Sequence, residues 1–287
     1  MADLAVCIVN WNTRDHLRRC LEALRDHAGS LELQIIVVDN ASSDGSADMV
    51  RTEFPGVDLV ASDENTGYAR GNNQALERVE ADFALLLNPD TIVTDGALQA
   101  LLDCAEPHPK AGGVAPKLVY PDGRLQRSCR SFPTPDVVIY EVLGLSRLFR
   151  RNRRFGKYKM TWWDYADERT VDQPMASAFL LRMAAVREVG VFDEKFPIFF
   201  NDVDLCKRLW GAGWEIWFTP TATVLHAHGA STSQVRQRMI AESHRSFLRF
   251  YRKHYLGRVN PVAYWAAVGL LNVSRVLRLV AVSIFGR

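Results

Sequence analysis

The 287 residues, 48% apolar and 24% charged, suffice for one large core or two small ones and exclude a disordered or fibrous chain. The 35 basic and 33 acidic residues leave a formal charge of only +2, so the overall balance does not mark a nucleic-acid binder. Five cysteines, Cys7, Cys20, Cys104, Cys129 and Cys206, form no CxxC pair, which excludes a zinc knuckle and a disulfide framework and favours a reducing compartment. The opening MADLAVCIVNWN has no basic leader and only a short apolar run, as expected of a buried strand in a cytoplasmic chain.

The predicted elements begin with three apolar runs, Leu4 to Val9, Leu33 to Asp39 and Phe83 to Asn88, each followed by a polar turn and a helical pattern. This alternation predicts an α/β fold with a mostly parallel sheet flanked by helices. The first helix is predicted to start after Asn12, with Asp15 three residues on approximating a capping box and Leu17, Cys20, Leu21 and Leu24 on one face. Further helices are predicted over Tyr68 to Val79 and over Gly96 to Ala105, the latter ended by Pro107 and Pro109. From Gly112 to Arg130, short strands around Pro121-Asp122-Gly123 predict a hairpin, which makes the second half of the sheet mixed. Arg147 to Lys159 hold seven basic side chains and no acid, the composition of a mobile, solvated loop. Pro261 to Phe285 are strongly apolar but interrupted by Asn272, Arg275 and Arg278, so no run reaches the roughly 18 apolar residues of a spanning helix.

Open α/β sheets bind ligands at the carboxyl ends of their strands. Asp39 stands at such an end in VVDNASSDGS, where Asp39, Asn40, Ser42 and Asp44 either meet a ligand or make the turns that cap a following helix. NTGYARGNN, Asn65 to Asn73, enters the helix predicted from Tyr68; Gly67, Arg70 and Gly71 at a helix start suit a pyrophosphate, although the motif is neither a P-loop nor GxGxxG. LLLNPDT places Asp90 past the fourth strand, where a carboxylate either holds a divalent cation on sugar-nucleotide phosphates or serves a turn. FPIFFNDVDLCKRLWGAGW leads aromatics into Asn201, Asp202 and Asp204 at a helix start, as capping acids or as a general base among apolar neighbours. His226 and His228 in VLHAHGAST follow a strand two residues apart and so point to opposite faces, which lets one ligate a metal more easily than both.

Taken in order, IVNWN, VVDNASSDGS, NTGYARGNN, LLLNPDT, NDVDLCKRL and HAHGAST resemble the bacterial family 2 glycosyltransferases, especially the rhamnosyltransferase-like branch, across Ile8 to Thr232. The resemblance implies an inverting enzyme with a Rossmann-like GT-A domain over 1–232, divided into a nucleotide-sugar-binding half (1–110) and an acceptor-binding, catalytic half (111–232). Amphipathic helices over 233–287 would associate with a membrane. Asn10, Asn12, Asp39, Asn40, Ser42, Asn65, Gly67, Arg70 and Asn73 would line the nucleotide site with Asp90, the family's DxD-type motif reading Asn88-Pro89-Asp90 here. Mg²⁺ or Mn²⁺ would sit at Asp90 with His226 or His228. The family's base is the second acid of a Glu-Asp pair, which matches Asp202; Asn201 replaces the first acid, and Asn201 and Asp204 would support the acceptor or the helix start.

The donor implied is dTDP-rhamnose, with a UDP-hexose next, and the acceptor a glycan or lipid-linked glycan in cell-envelope polysaccharide synthesis. The basic loop and the C-terminal stretch suit a peripheral position on the inner face of the cytoplasmic membrane, and Tyr264 and Trp265 could equally pair two subunits in a homodimer. Two rivals are a sugar nucleotidyltransferase, disfavoured by the glycine-free NWNTRD loop, and a non-catalytic membrane-associated nucleotide-binding scaffold. No nucleic-acid partner is expected, since the basic loop interleaves no aromatic platform.

Overall fold

A computed structural model describes residues 2–227 and 236–285. In chain order the elements are β1 (Leu4–Asn10), α1 (Arg14–Asp26), β2 (Leu33–Asp39), α2 (Ser46–Glu53), β3 (Asp58–Ala61), α3 (Tyr68–Leu76), β4 (Phe83–Leu87), β5 (Thr91–Val93) and α4 (Ala97–Ala105). There follow β6 (Ala111–Val119), β7 (Leu125–Gln126), α5 (Pro135–Val142), α6 (Leu145–Leu148), β8 (Arg169–Thr170), β9 (Ala178–Arg182), α7 (Met183–Val189), α8 (Asn201–Gly211), β10 (Glu215–His226), α9 (Arg236–His254) and α10 (Pro261–Phe285). The chain forms two compact units: the first is Met1–Cys129, Tyr165–Pro197 and Asn201–Gln234, the second Arg130–Asp164, Ile198–Phe200 and Val235–Arg287.

The first unit is built on one ten-stranded sheet in the order β3-β2-β1-β4-β9-β6-β10-β5, with β7 on β6 and β8 on β10. The neighbours β3, β2, β1 and β4 run parallel, as the buried apolar runs predict. Antiparallel β9 then separates β4 from β6, β10 returns parallel to β6, and β5 closes the path antiparallel to β10. Strand β1 is buried along its whole length because helices cover both faces. Leu4, Val6 and Ile8 share a core cluster with Leu17, Leu21 and Leu24 of α1 and Leu98 and Leu101 of α4. The expected hairpin is present as β6 and β7 around a turn at Gly123.

The start of α1 differs from the expectation. Thr13, not Asn12, is its cap residue, and no side chain within the helix caps it. The Asp44 carboxylate, from the loop before α2, accepts from the Arg14 amide at 2.8 Å instead, while Asp15 pairs with Arg18. A cap delivered across 30 residues leaves no trace in local spacing.

In the second unit, Phe200 stacks against Phe247 and Phe250 of α9, and Tyr251 packs against Tyr264 of α10. Tyr264, Ala267 and Leu271 form the buried side of α10, whereas Val262, Trp265, Val273 and Val276, which share its opposite side at helical spacing, are more than half exposed. The segment expected as a mobile loop begins within the short helix α6, and its Arg153 lies over the Trp162 ring. No helix among the described residues is long and apolar enough to cross a membrane.

Candidate active site

Because β1, β2, β4 and β10 point the same way, their carboxyl ends bring Asn10, Asp39, the turn holding Asp90, and His226 to one edge of the sheet. Asn10 and Asp39 are register partners, and the Asn10 amide donates to the Asp39 carboxylate at 2.8 Å. The other Asp39 oxygen accepts from the Ser42 amide at 3.0 Å, and the Ser42 hydroxyl accepts from the Asn12 amide at 2.9 Å. Asn12 and Ala41 both have positive φ, a cost the surrounding hydrogen bonds hold in place. Asn40 ties this floor to the next loop, donating to the Gly67 carbonyl at 3.0 Å. The turn-building role of these residues is therefore visible, and the turns hold their polar groups at the strand ends.

At the start of α3, Gly67 has φ +89°, and a Cβ there would meet the Pro197 carbonyl at 3.0 Å. Gly71 has a packing reason, since its Cβ would lie 2.8 Å from Val9. Asn65 accepts from the Gly67 amide at 3.0 Å. Arg70 is exposed and has no ion-pair partner among the described residues. Both ends of the Asn73 amide bind the Phe192 backbone and it reaches Glu194 at 3.2 Å, which ties α3 to that segment.

Asp90 is buried, and its carboxylate lies 3.4 Å from His226 Nε2. His226 Nδ1 contacts Gln126 Oε1 at 2.7 Å, which places the proton on Nδ1. A neutral ring then turns the Nε2 lone pair toward the carboxylate, an arrangement satisfied by a second proton or by a shared cation. Asp90 and His226 are thus a donor set of the right chemistry for a divalent ion. His228 lies outside the described residues.

Asp202 is the second residue of α8, half-buried, with one oxygen accepting from the Val203 amide at 2.8 Å. Burial raises its carboxyl above the usual aspartate range, and the amides of Val203 and Ala176 pull it partly back. Asn201 spends its carbonyl on the Asp202 amide at 2.7 Å and its nitrogen on the Phe196 carbonyl. Asp204, fully buried, meets Arg208 at 2.9 Å, and Arg208 grips the carbonyls of Val189, Gly190 and Val191. Both residues therefore fix the helix start.

Nothing in its motif singled out Tyr68. Its hydroxyl donates to the Ala176 carbonyl at 3.0 Å, and its pKa is raised by burial and, to a lesser extent, by the charge of Asp202. Gln126 is the other residue local reading missed, because a glutamine in a hairpin carries no signal until the fold sets it beside His226.

Residues 5–166 match the sequence profile described as Glycosyl transferase family 2. The chain is 29% identical over 282 residues to the N-acetylglucosaminyl-diphospho-decaprenol L-rhamnosyltransferase of Mycobacterium tuberculosis, covering 93% of this chain and 90% of that one. It is 25% identical over 232 residues to the rhamnosyltransferase WbbL of Escherichia coli, covering 77% and 82%. Among solved structures, the mannosyltransferase PcManGT from Pyrobaculum calidifontis, in complex with GDP-Man and Mn²⁺, superposes with a TM-score of 0.60 at 14% identity, over all of this chain and 76% of that one. The architecture is thus the GT-A fold, and the chain belongs to glycosyl transferase family 2, enzymes that move a sugar from a nucleotide sugar.

Proposed function

We propose that the protein is an inverting rhamnosyltransferase that moves rhamnose from dTDP-rhamnose to a hydroxyl of a lipid-linked glycan in cell-envelope polysaccharide synthesis. The observation that supports this reading is the pairing of buried Asp90 with His226 at the carboxyl ends of the strands. The names of the two rhamnosyltransferase relatives support the donor and the class of acceptor.

Asp202 is the general base: raised by burial, it takes the proton of the acceptor hydroxyl, which attacks the anomeric carbon in line as the nucleoside diphosphate leaves. Asn10, Asn12, Asp39, Asn40, Ser42, Asn65 and Gly67 shape the nucleotide pocket, and Arg70 meets the departing diphosphate. Asp90 and His226 would hold Mg²⁺ or Mn²⁺, which when bound neutralises charge on the diphosphate. Asn201 and Asp204 position Asp202. In this division of labour the first unit binds donor and carries the chemistry.

The second unit would hold the protein peripherally at the inner face of the cytoplasmic membrane. Exposed Val262, Trp265, Val273 and Val276 on one side of α10, and the arginines of 147–154, suit an anionic lipid surface.

The test is sugar transfer by purified protein from dTDP-rhamnose, UDP-hexoses or GDP-mannose to a polyprenyl-diphosphate-linked sugar, with Mn²⁺, Mg²⁺ or EDTA. Transfer from dTDP-rhamnose that Asp202→Asn abolishes, while the variant still binds donor, is the expected result. Transfer from a UDP-hexose alone would overturn the donor, and an active D202N would overturn the base.

A further inference from the structure

Away from the strand ends, three side chains of the first unit converge. The Sγ of Cys104, a ring nitrogen of His108 and a carboxylate oxygen of Glu168 all lie within 4.8 Å of one another. Cys104 belongs to the last turn of α4, His108 follows four residues later, between α4 and β6, and Glu168 immediately precedes β8. Strand β8 lies antiparallel on β10 with Thr170 opposite Trp217, and the Trp217 ring stacks on that of His108 at 3.7 Å between centroids. The cluster therefore sits at the amino ends of β6 and β10, whereas Asp90 and His226 stand at the carboxyl end of β10.

A thiol, an imidazole and a carboxylate together suit a borderline-soft divalent ion, zinc above all. Ligand atoms around a tetrahedral zinc ion stand about 3.5 Å apart, so these three need little movement to close on one. His108 already has the setting of a ligand. Its Nδ1 lies 2.8 Å from the Cys104 carbonyl oxygen, which puts the ring proton on Nδ1 and the lone pair on Nε2. Metal-bound histidines characteristically fix their rings by such a donation, and the stacking on Trp217 sets the ring plane as well. Cys104 is buried, His108 half-buried and Glu168 exposed, which gives an ion a way in from solvent on the carboxylate side. Burial, and after it the negative charge of Glu168, raise the Cys104 thiol to about 12, so the fold keeps a protonated sulfur beside a carboxylate.

We propose that Cys104, His108 and Glu168 form a zinc site that ties the end of α4 to β8, distinct from the Asp90 and His226 pair. Binding exchanges the Cys104 proton, which leaves to solvent, for a zinc–sulfur bond; no oxidant or reductant takes part. The clamp joins Glu168, three residues past the point where the chain re-enters the first unit at Tyr165, to a helix formed before the chain leaves that unit at Cys129.

The test uses the full chain, stripped of metal by dialysis against a chelator and titrated first with Co²⁺ as a spectroscopic stand-in and then with Zn²⁺. A thiolate-to-cobalt charge-transfer absorption in the near ultraviolet is expected in the wild type, and Zn²⁺ should displace it. Cys104→Ser should abolish the absorption, and Asp90→Asn should leave it unchanged. Loss of even an outer-shell partner costs a metal site about 10- to 100-fold in affinity, so Glu168→Gln should weaken zinc binding by about 100-fold or more. Glu168 is exposed, so its variant keeps the test decisive even where the buried Cys104→Ser change disturbs folding. No thiolate-to-cobalt absorption in the wild type, or one that survives Cys104→Ser, would overturn the site, as would equal zinc affinity in wild type and E168Q. Absorption lost in Asp90→Asn would move the sulfur ligand to Cys20, which lies beside Thr91, and overturn it equally. Sugar transfer is not the readout, so the result stands apart from the donor and the base assigned above.

Discussion

Asp202 carries opposite consequences for catalysis and stability, and one substitution separates them. Burial raises its carboxyl, so the charged form that the proposed base needs is the form the fold tolerates less well. The contribution of such a group is fully present below the ordinary aspartate pKa and is lost as pH rises through the raised folded value. Asp202→Asn should therefore melt above wild type at neutral pH, with the gap closing below about pH 4, while transfer falls by about 10²- to 10⁴-fold and donor affinity stays. Calorimetric melts across pH, set beside initial rates, check both halves; a D202N that melts lower at neutral pH contradicts the environment described here. Gln126 offers a second test at this scale. It holds the proton of His226 on the nitrogen away from Asp90, so Gln126→Leu should raise the metal concentration needed for half-maximal activity by about 10- to 100-fold without touching the ion. A metal titration with unchanged demand in this variant would remove His226 from the ligand set.

Helix α3 shows how an element is held by residues that resemble ligand-binding ones. Gly71 admits α3 against Val9 of β1, so Gly71→Ala should cost about 1 to 3 kcal/mol, read as a lower urea midpoint, and displace the loop at Gly67 along with Arg70. Equal midpoints would show that the helix has room to shift. The strands β1, β2 and β4 were legible in the sequence because burial on both faces writes an unbroken apolar run, and Asp39, Asp90 and Asp202 were legible because each follows such a run or opens a helix. What local spacing could not show is partnership at a distance. Asp44 caps α1 from another loop, Asn73 fastens to residues more than a hundred positions away, and β9 enters between β4 and β6. Asn73 closes NTGYARGNN, and nothing in that motif announces that its amide meets the Phe192 backbone.

Across the whole molecule, the five cysteines are free and buried, and burial pushes the thiols of Cys7, Cys20 and Cys104 up to about 12. Thiolate is the reactive form, so Ellman's reagent should label none of them in the native protein and all five after denaturation. Rapid native labelling would mean that a core segment opens readily. The same absence of reactive thiols lets cysteines be introduced as probes on α10 or at the basic stretch without background.

The way the chain divides between its two units has a further consequence. It passes from one to the other after Cys129, Asp164, Pro197, Phe200 and Gln234, and the excursion over Ile198–Phe200 ends where Asn201 and Asp202 begin. Neither unit is a continuous stretch of polypeptide, so no single proteolytic nick releases one intact and no truncation isolates the first unit from the second. Exchange of the second unit between relatives would have to proceed by replacement at several places at once, which makes that unit hard to shuffle by simple gene fusion and more accessible to gradual point substitution.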